Sequence, residues 1–322
     1  MSVRLAASSY GKDLVRVLRV VRNPSDRASQ QVVEYTVRNL LLGAKFEESY
    51  TKADNTLVVA TDSNKNTINW LAKTLPEDVV LCPEKFALAI AVHFLTKYDH
   101  VEGTETTIVQ HKWSRIPIDG QPHKHSFVRD GTESRNVFSK VNKGPGGALN
   151  VERLEGGVKG LLVLKSSGSA FYGFWRDEFT TLPEVKDRIF STEVDCVYTL
   201  KLPAVPLQEL LTSKRDQLPK FCAIYESVVH HTLRLFALDV SASVQATMYR
   251  MGEAILTDAN NDAVQTVAYA LPNKHYIPID LSWAKINNTS EQTAEVFLPT
   301  AHPSGLIKAT ICLLYTSDAA DE

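Results

Sequence analysis

The order of hydrophobic periods repeats once along this chain, and that repeat limits the folds open to it. Residues 13–22, DLVRVLRVVR, alternate two faces, with Leu14, Arg16, Leu18 and Val20 opposite Val15, Val17, Arg19 and Val21. Period-two alternation is the mark of a half-buried strand. Residues 31–42 predict a second strand, and Asn23-Pro24-Ser25-Asp26 between them has turn chemistry. A short apolar strand is predicted over 56–60, closing at Thr61-Asp62-Ser63, with 67–73 leading towards a helix start. Residues 83–98 then space Phe86, Ile90, Phe94 and Leu95 as a helix does, and 106–115 alternate again.

The second half follows the same order. A hairpin is predicted from 160–166 and 169–175 around Ser167-Gly168, then a strand over 193–201, a long helix over 220–237 and a strand over 241–255. Two successive units of paired strands, helical connection and paired strands predict a tandem α+β protein. The glycine-rich stretch 141–160, containing Gly144-Pro145-Gly146-Gly147, is the best boundary between them. The domains are therefore read as 1–145 and 146–311.

At 322 residues, with 44% apolar and 22% charged residues, the composition is that of a soluble globular protein. A net charge of −2 leaves no electrostatic footprint for nucleic acid or a membrane surface. The apolar run 86–95 is broken by His93 and is too short to span a bilayer, and the N-terminus shows no signal-peptide core. Cys82, Cys196, Cys222 and Cys312 are scattered without CxxC spacing and read as buried thiols rather than a disulfide framework or zinc site. Residues 312–322, CLLYTSDAADE, resemble the translation of a sequencing-library adapter and are expected to be non-native, hiding any C-terminal targeting tripeptide.

The richest polar cluster is Leu271-Pro272-Asn273-Lys274-His275-Tyr276. On an extended chain Asn273 and His275 share one face and Lys274 takes the other. Lys12 after Gly11 reads as a solvated terminus or as a base; Thr61-Asp62 reads as a helix cap or as a hydroxyl that relays a proton. Arg188 is a surface ion-pair partner or a bidentate grip on a flat anion; Phe171 is core or a stacking platform. Gln245 is a strand-edge residue or an amide that reads a carbonyl and a neighbouring N–H. His123 and His125 share a strand face and could hold a metal with His111 or His302. No phosphate loop, nucleophile elbow or dinucleotide fingerprint occurs.

Taken in order, these segments closely resemble the urate oxidase (uricase) family. The matching strings are YGKD (10–13), YTKADN (50–55), VATDS (59–63), PHKHSF (122–127), FYGFWRDEFTTL (171–182), DRIFSTEVD (187–195), SASVQATMY (241–249), LPNKHY (271–276) and IDLSW (279–283), and the likeness covers residues 10–310. The resemblance implies two tandem T-fold units per chain, each an antiparallel sheet with helices on one face, and a homotetramer around a tunnel with sites between subunits. It implies a cofactor-free, metal-free oxidation of urate by dioxygen and water to 5-hydroxyisourate and hydrogen peroxide. Lys12, Thr61 and His275 would form the proton relay. Arg188 and Gln245 would clamp the purine with help from the Val244 backbone, Phe171 would stack on it and Leu182 would line the pocket. Asp62 would reach in from the partner subunit, and Asn273 with Thr61 would hold dioxygen or water. A bacterial source implies the cytoplasm and a eukaryotic one the peroxisome. A T-fold enzyme of pterin or deazapurine metabolism, a non-catalytic purine binder and a metal hydrolase using His123 and His125 are the competing readings.

Overall fold

The computed structural model describes residues 3–22, 25, 29–300 and 302–314. In chain order its elements are β1 (Tyr10–Arg22), β2 (Gln30–Leu42), α1 (Glu47–Thr51), α2 (Thr61–Thr74), α3 (Glu77–Val80), α4 (Pro83–Lys97), β3 (Gly103–Ile118) and β4 (Gln121–Lys143). There follow β5 (Leu149–Lys165), β6 (Phe190–Leu200), α5 (Leu207–Leu210), α6 (Phe221–Leu238), α7 (Val244–Thr257), β7 (Val264–Pro278), β8 (Phe297–Thr300) and β9 (Leu306–Cys312). The chain packs into two compact units. One runs to Gly157 and includes Thr199–Cys222; the other comprises Val158–Tyr198 and the chain from Ala223 onward.

In the first unit β1, β2, β3 and β4 form an antiparallel sheet in sequence order. The alternation read from the sequence is the reason: Val15, Val17 and Val21 are buried while Leu14 and Leu18 face solvent. Helices α2 and α4 pack on the buried face. Ile68, Leu71 and Ala72 of α2 and Phe86, Ile90 and Phe94 of α4 supply the apolar stripe that covers it. Tyr35 of β2 stacks on Phe86 with centroids 5.7 Å apart, and its hydroxyl donates to Val80 O at 2.7 Å. One ion pair lies inside this layer: Glu84, fully buried in the first turn of α4, accepts from Arg135 Nη2 of β4 at 2.6 and 2.8 Å.

In the second unit β5, β6 and β7 are neighbours, β8 pairs with the end of β7, and β9 pairs with its start. Phe190, Val194, Cys196 and Tyr198 of β6 and Val264, Val267, Tyr269 and Leu271 of β7 form the buried face. Ile224, Val228 and Phe236 carry the stripe of α6, and Thr232 of the same helix shares a 2.6 Å hydrogen bond with the Tyr269 hydroxyl. Helix α7 lies so close to β9 that a Cβ on Gly252 would stand 2.8 Å from Ile311 Cδ1. Among the described residues no helix is long and apolar enough to cross a membrane.

Three sequence expectations fail locally. Residues 56–60 form a turn and an irregular segment rather than a strand, because Val59 N–H donates to the Tyr10 hydroxyl at 2.8 Å instead of to a neighbouring strand. The hairpin around 167–168 does not close: 160–165 belong to β5, and Ser169 and Phe171 make isolated bridges to Ser241 and Val185. Residues 244–257 are helix, not strand. Ser243 Oγ accepts from Ala246 N–H at 3.1 Å as an N-cap, and Val244, Met248, Met251 and Ile255 recur at helical spacing on the buried side. The turn expected at Asn23, Pro24 and Asp26 lies outside the described residues, as do 315–322 of the tail. Cys312, where that tail was expected to begin, closes β9 against Thr266. Cys82 and Cys196 are buried as expected, but Cys222 and Cys312 are exposed, Cys222 in the first turn of α6 and Cys312 at the end of β9.

Two outcomes check this packing. Glu84→Ala leaves the Arg135 charge buried without its partner and is expected to lower the unfolding free energy by about 3–5 kcal/mol in a urea titration; an unchanged midpoint would contradict the assignment. Glu34 loses solvation by burial, yet Trp113, Arg16 and Arg129 donate to its carboxylate and hold its pKa below the usual range. A depressed acid contributes stability above its unfolded pKa and loses it as pH falls through the folded one. Glu34→Gln should therefore destabilise the protein near neutral pH, with the effect fading as pH falls through the lowered folded-state pKa.

Candidate active site

The sequence-nominated residues fall into two groups, one per unit. In the first, β1 breaks its register with β2 between Lys12 and Val15, and Leu14 takes φ 56°. Gly11 makes this possible, since a Cβ there would meet Asn39 O at 1.9 Å. Lys12 pairs with Asn39 of β2 and is half-buried. Thr61 opens α2 and is exposed, with Asp62 beside it.

A buried polar network ties these pieces together. Asn39 Oδ1 accepts from Thr106 Oγ1 at 2.8 Å, Asn39 Nδ2 donates to Asn64 Oδ1 at 3.2 Å, and Asn64 Nδ2 donates to Asn39 O at 3.1 Å. The first turn of α2 is thereby pinned to the strand residue opposite Lys12. Asp62 is held ionised below the ordinary carboxylate range, first by the hydrogen bond from Lys65, with Asn66 and the Lys12 charge assisting. Asp13 is likewise lowered, chiefly by Arg38 at 2.6 Å.

In the second unit the loop after β5 is stitched to the loop before α7. Ser241 N–H donates to Gly168 O at 3.0 Å and Ala170 N–H to Ser241 O at 2.8 Å. Phe171 bridges Val185, and Arg188 N–H reaches Ser169 O at 2.8 Å. The Arg188 guanidinium sits 5.3 Å from the Phe171 ring centroid, half-buried, and its Nε has no partner. Burial lowers its pKa. Phe171 also stacks with Phe174, at 4.6 Å and 11°. Val244 and Gln245 are the first two residues of α7, where backbone N–H groups lack helical acceptors, and Gln245 is exposed. Leu182 is exposed in the loop, and its carbonyl accepts from Arg176 at 2.8 Å.

Asn273 and His275 lie on β7 with the alternation expected. Asn273 N–H donates to Gly305 O at 2.8 Å, and its Oδ1 is buried with no partner. His275 is exposed and backbone-paired with Thr300. Lys274 takes the opposite face in an ion pair with Glu193 at 3.0 Å. His123 and His125 stand edge to face at 4.6 Å, while His111 Nε2 is engaged with Thr36 Oγ1 at 2.8 Å. Among the described residues no group of three His, Cys, Asp or Glu is placed to hold a metal ion.

Comparison with known proteins decides the family. A family model described as Uricase matches residues 8–140 and 154–308. The chain belongs to the uricase family. It is 48% identical to a uricase of Emericella nidulans over 95% of this chain and 96% of that protein, and 48% identical to one of Aspergillus flavus over 95% of each. Among solved structures it is similar to the uricase of Arthrobacter globiformis, with a TM-score of 0.80 at 34% identity, covering 97% of this chain and 96% of the other. The α+β architecture of tandem T-fold units is that of the family.

Sequence reasoning missed the supports of both groups: Asn39, Asn64 and Thr106 under Lys12 and Thr61, and Ser169, Ser241 and Ser243 beside Arg188 and Gln245. Only two left a readable signal, Gly11 ahead of Lys12 and Ser243 ahead of a helical period. Asn39→Leu keeps the side-chain size but strips Asn64 and Thr106 of their partner. It is expected to cost about 2–3 kcal/mol in thermal unfolding, and a loss within error of zero would show that the network is not structural.

Proposed function

We propose that this uricase-family chain is a urate oxidase in which urate, dioxygen and water yield 5-hydroxyisourate and hydrogen peroxide without metal or organic cofactor. The observation that carries the reading is the half-buried Arg188 guanidinium over Phe171, with a free Nε, next to the open N-terminus of α7. That corner offers an aromatic face, a planar cation and unsatisfied backbone donors to one flat anion.

In this reading Phe171 stacks on the purine, Arg188 grips one edge, and Gln245 with the Val244 N–H holds the other, while Leu182 closes the rim. Deprotonated urate is electron-rich enough to reduce dioxygen once it is bound and oriented, so the chain's task is binding and proton transfer. Lys12, Thr61 and His275 carry the protons. Asn273, whose carbonyl oxygen is unpartnered, and Thr61 hold dioxygen and then water above the ring. Asp62 adds a polar contact from a neighbouring subunit.

The same family likeness supports the assembly proposed with it: a homotetramer around a tunnel, each site built from Lys12, Thr61 and Asp62 of one subunit and the remaining residues of another. Trp175, Phe179 and Trp283, exposed at 89%, 82% and 81%, support such burial by partner chains.

The test is an assay of purified protein with urate in air and a chelator present. Loss of urate absorbance with one peroxide per urate is expected; no peroxide would overturn the proposal. Lys12→Met and Thr61→Ala should each lower kcat by about 10²-fold with little change in KM. Arg188→Lys, which loses the planar fork, should instead raise KM by about tenfold.

A further inference from the structure

Two of the free cysteines meet at the starts of two helices. Cys82 is the N-cap of α4 and is buried; Cys222 is the second residue of α6 and is solvent-accessible. They meet over one buried ion pair and are close enough to shift each other's ionisation. Cys82 Sγ also donates towards Glu84 Oε2 at 3.4 Å, and Arg135 Nη1 stands 3.5 Å from Cys222 Sγ while Nη2 grips Glu84.

We propose that Cys222 and Cys82 form a peroxide-oxidisable dithiol, in which Cys222 is attacked and Cys82 resolves it as a disulfide. The proton and the charge are already divided between them. Cys82 Sγ donates towards the Glu84 carboxylate, and its pKa is pushed up by the neighbouring Cys222 thiol, by burial and by Glu84. Cys222 is pulled down, first by the neighbouring Cys82 thiol and then by Arg135, against the cost of its partial desolvation. Its place in the first turn of a helix acts in the same direction. Thiolate character, access and an adjacent second thiol are what a sensing cysteine requires. Cys196 is the contrast: it is fully buried, and burial pushes it up to about 12.

The oxidant is a hydroperoxide. The Cys222 thiolate attacks one peroxide oxygen, the O–O bond breaks and hydroxide leaves, giving the sulfenic acid. The Cys82 sulfur then attacks the Cys222 sulfur, the S–O bond breaks and water leaves. Two thiols and one hydrogen peroxide become one disulfide and two waters, with two electrons passing from sulfur to oxygen. The bond would tie the first turn of α4 to the first turn of α6 and draw Cys222 away from Arg135. Peroxide is also the product of the proposed reaction, but adding it directly separates this inference from that one.

The experiment exposes the reduced full chain to about one equivalent of hydrogen peroxide and maps its cysteines by non-reducing digestion and mass spectrometry. A Cys82–Cys222 linked peptide pair that dithiothreitol reverses is expected. Cys82→Ser should leave a dimedone-trapped sulfenic acid at Cys222, and Cys222→Ser should leave Cys82 a free thiol. In the untreated protein, iodoacetamide should modify Cys222 about tenfold faster than the accessible Cys312. A Cys222 that stays reduced while Cys312 oxidises, or one that passes to sulfinic acid with no link to Cys82, would overturn the proposal.

Discussion

One buried amide, Asn39, holds the first unit's candidate residues in place. It is fully buried in the second strand and opposite Lys12, and it exchanges hydrogen bonds with Asn64 in the first turn of α2 and with Thr106 on the next strand. An unpartnered polar group there would cost more than its hydrogen bonds return, so the three side chains constrain one another to a single arrangement. That arrangement fixes where Lys12 leaves the bulged strand and where Thr61 opens its helix. Gly11 completes the constraint by letting the strand approach Asn39 more closely than any side chain would permit.

The second unit solves a similar problem with backbone instead of a buried amide. The bonds among Gly168, Ala170 and Ser241, and between Arg188 and Ser169, set an irregular loop against the start of α7. Thr247 reinforces the join through Asp239 at 2.6 Å and Ser241 at 2.9 Å. Both units therefore put residues of the proposed site at the first positions of a helix, Thr61 in one and Val244 and Gln245 in the other. Helix starts leave N–H groups without acceptors and carry positive potential, which suits a planar anion better than a sheet surface does.

How much of this could be read from the sequence depended on whether the signal was periodic. The strands at 13–22 and 31–42 and the helices at 83–98 and 220–237 follow from alternation or helical spacing and appear within a few residues of their expected ends. Residues 241–255 misled because SVQATMYRM also alternates; Ser243 as a cap and Gly252 against Ile311 decide for helix, and both depend on tertiary contacts. Within the loop from 166 to 189, residues 169–175 misled as a hairpin strand, because the bridges there run to Val185 and Ser241 and not back to β5. The proposed site residues were nameable because their strings resemble a family. Asn39 and Thr106, which orient them, look like ordinary strand residues.

The central claim is that the two groups, Lys12 with Thr61 and Arg188 with Gln245, act together only when different subunits meet. Co-expressing two separately inactive variants, Lys12→Met and Arg188→Met, tests it directly. In a mixed dimer one of the two composite sites would contain both native residues, so random pairing should restore about a quarter of wild-type urate oxidation. Activity no greater than that of either variant alone would contradict the account.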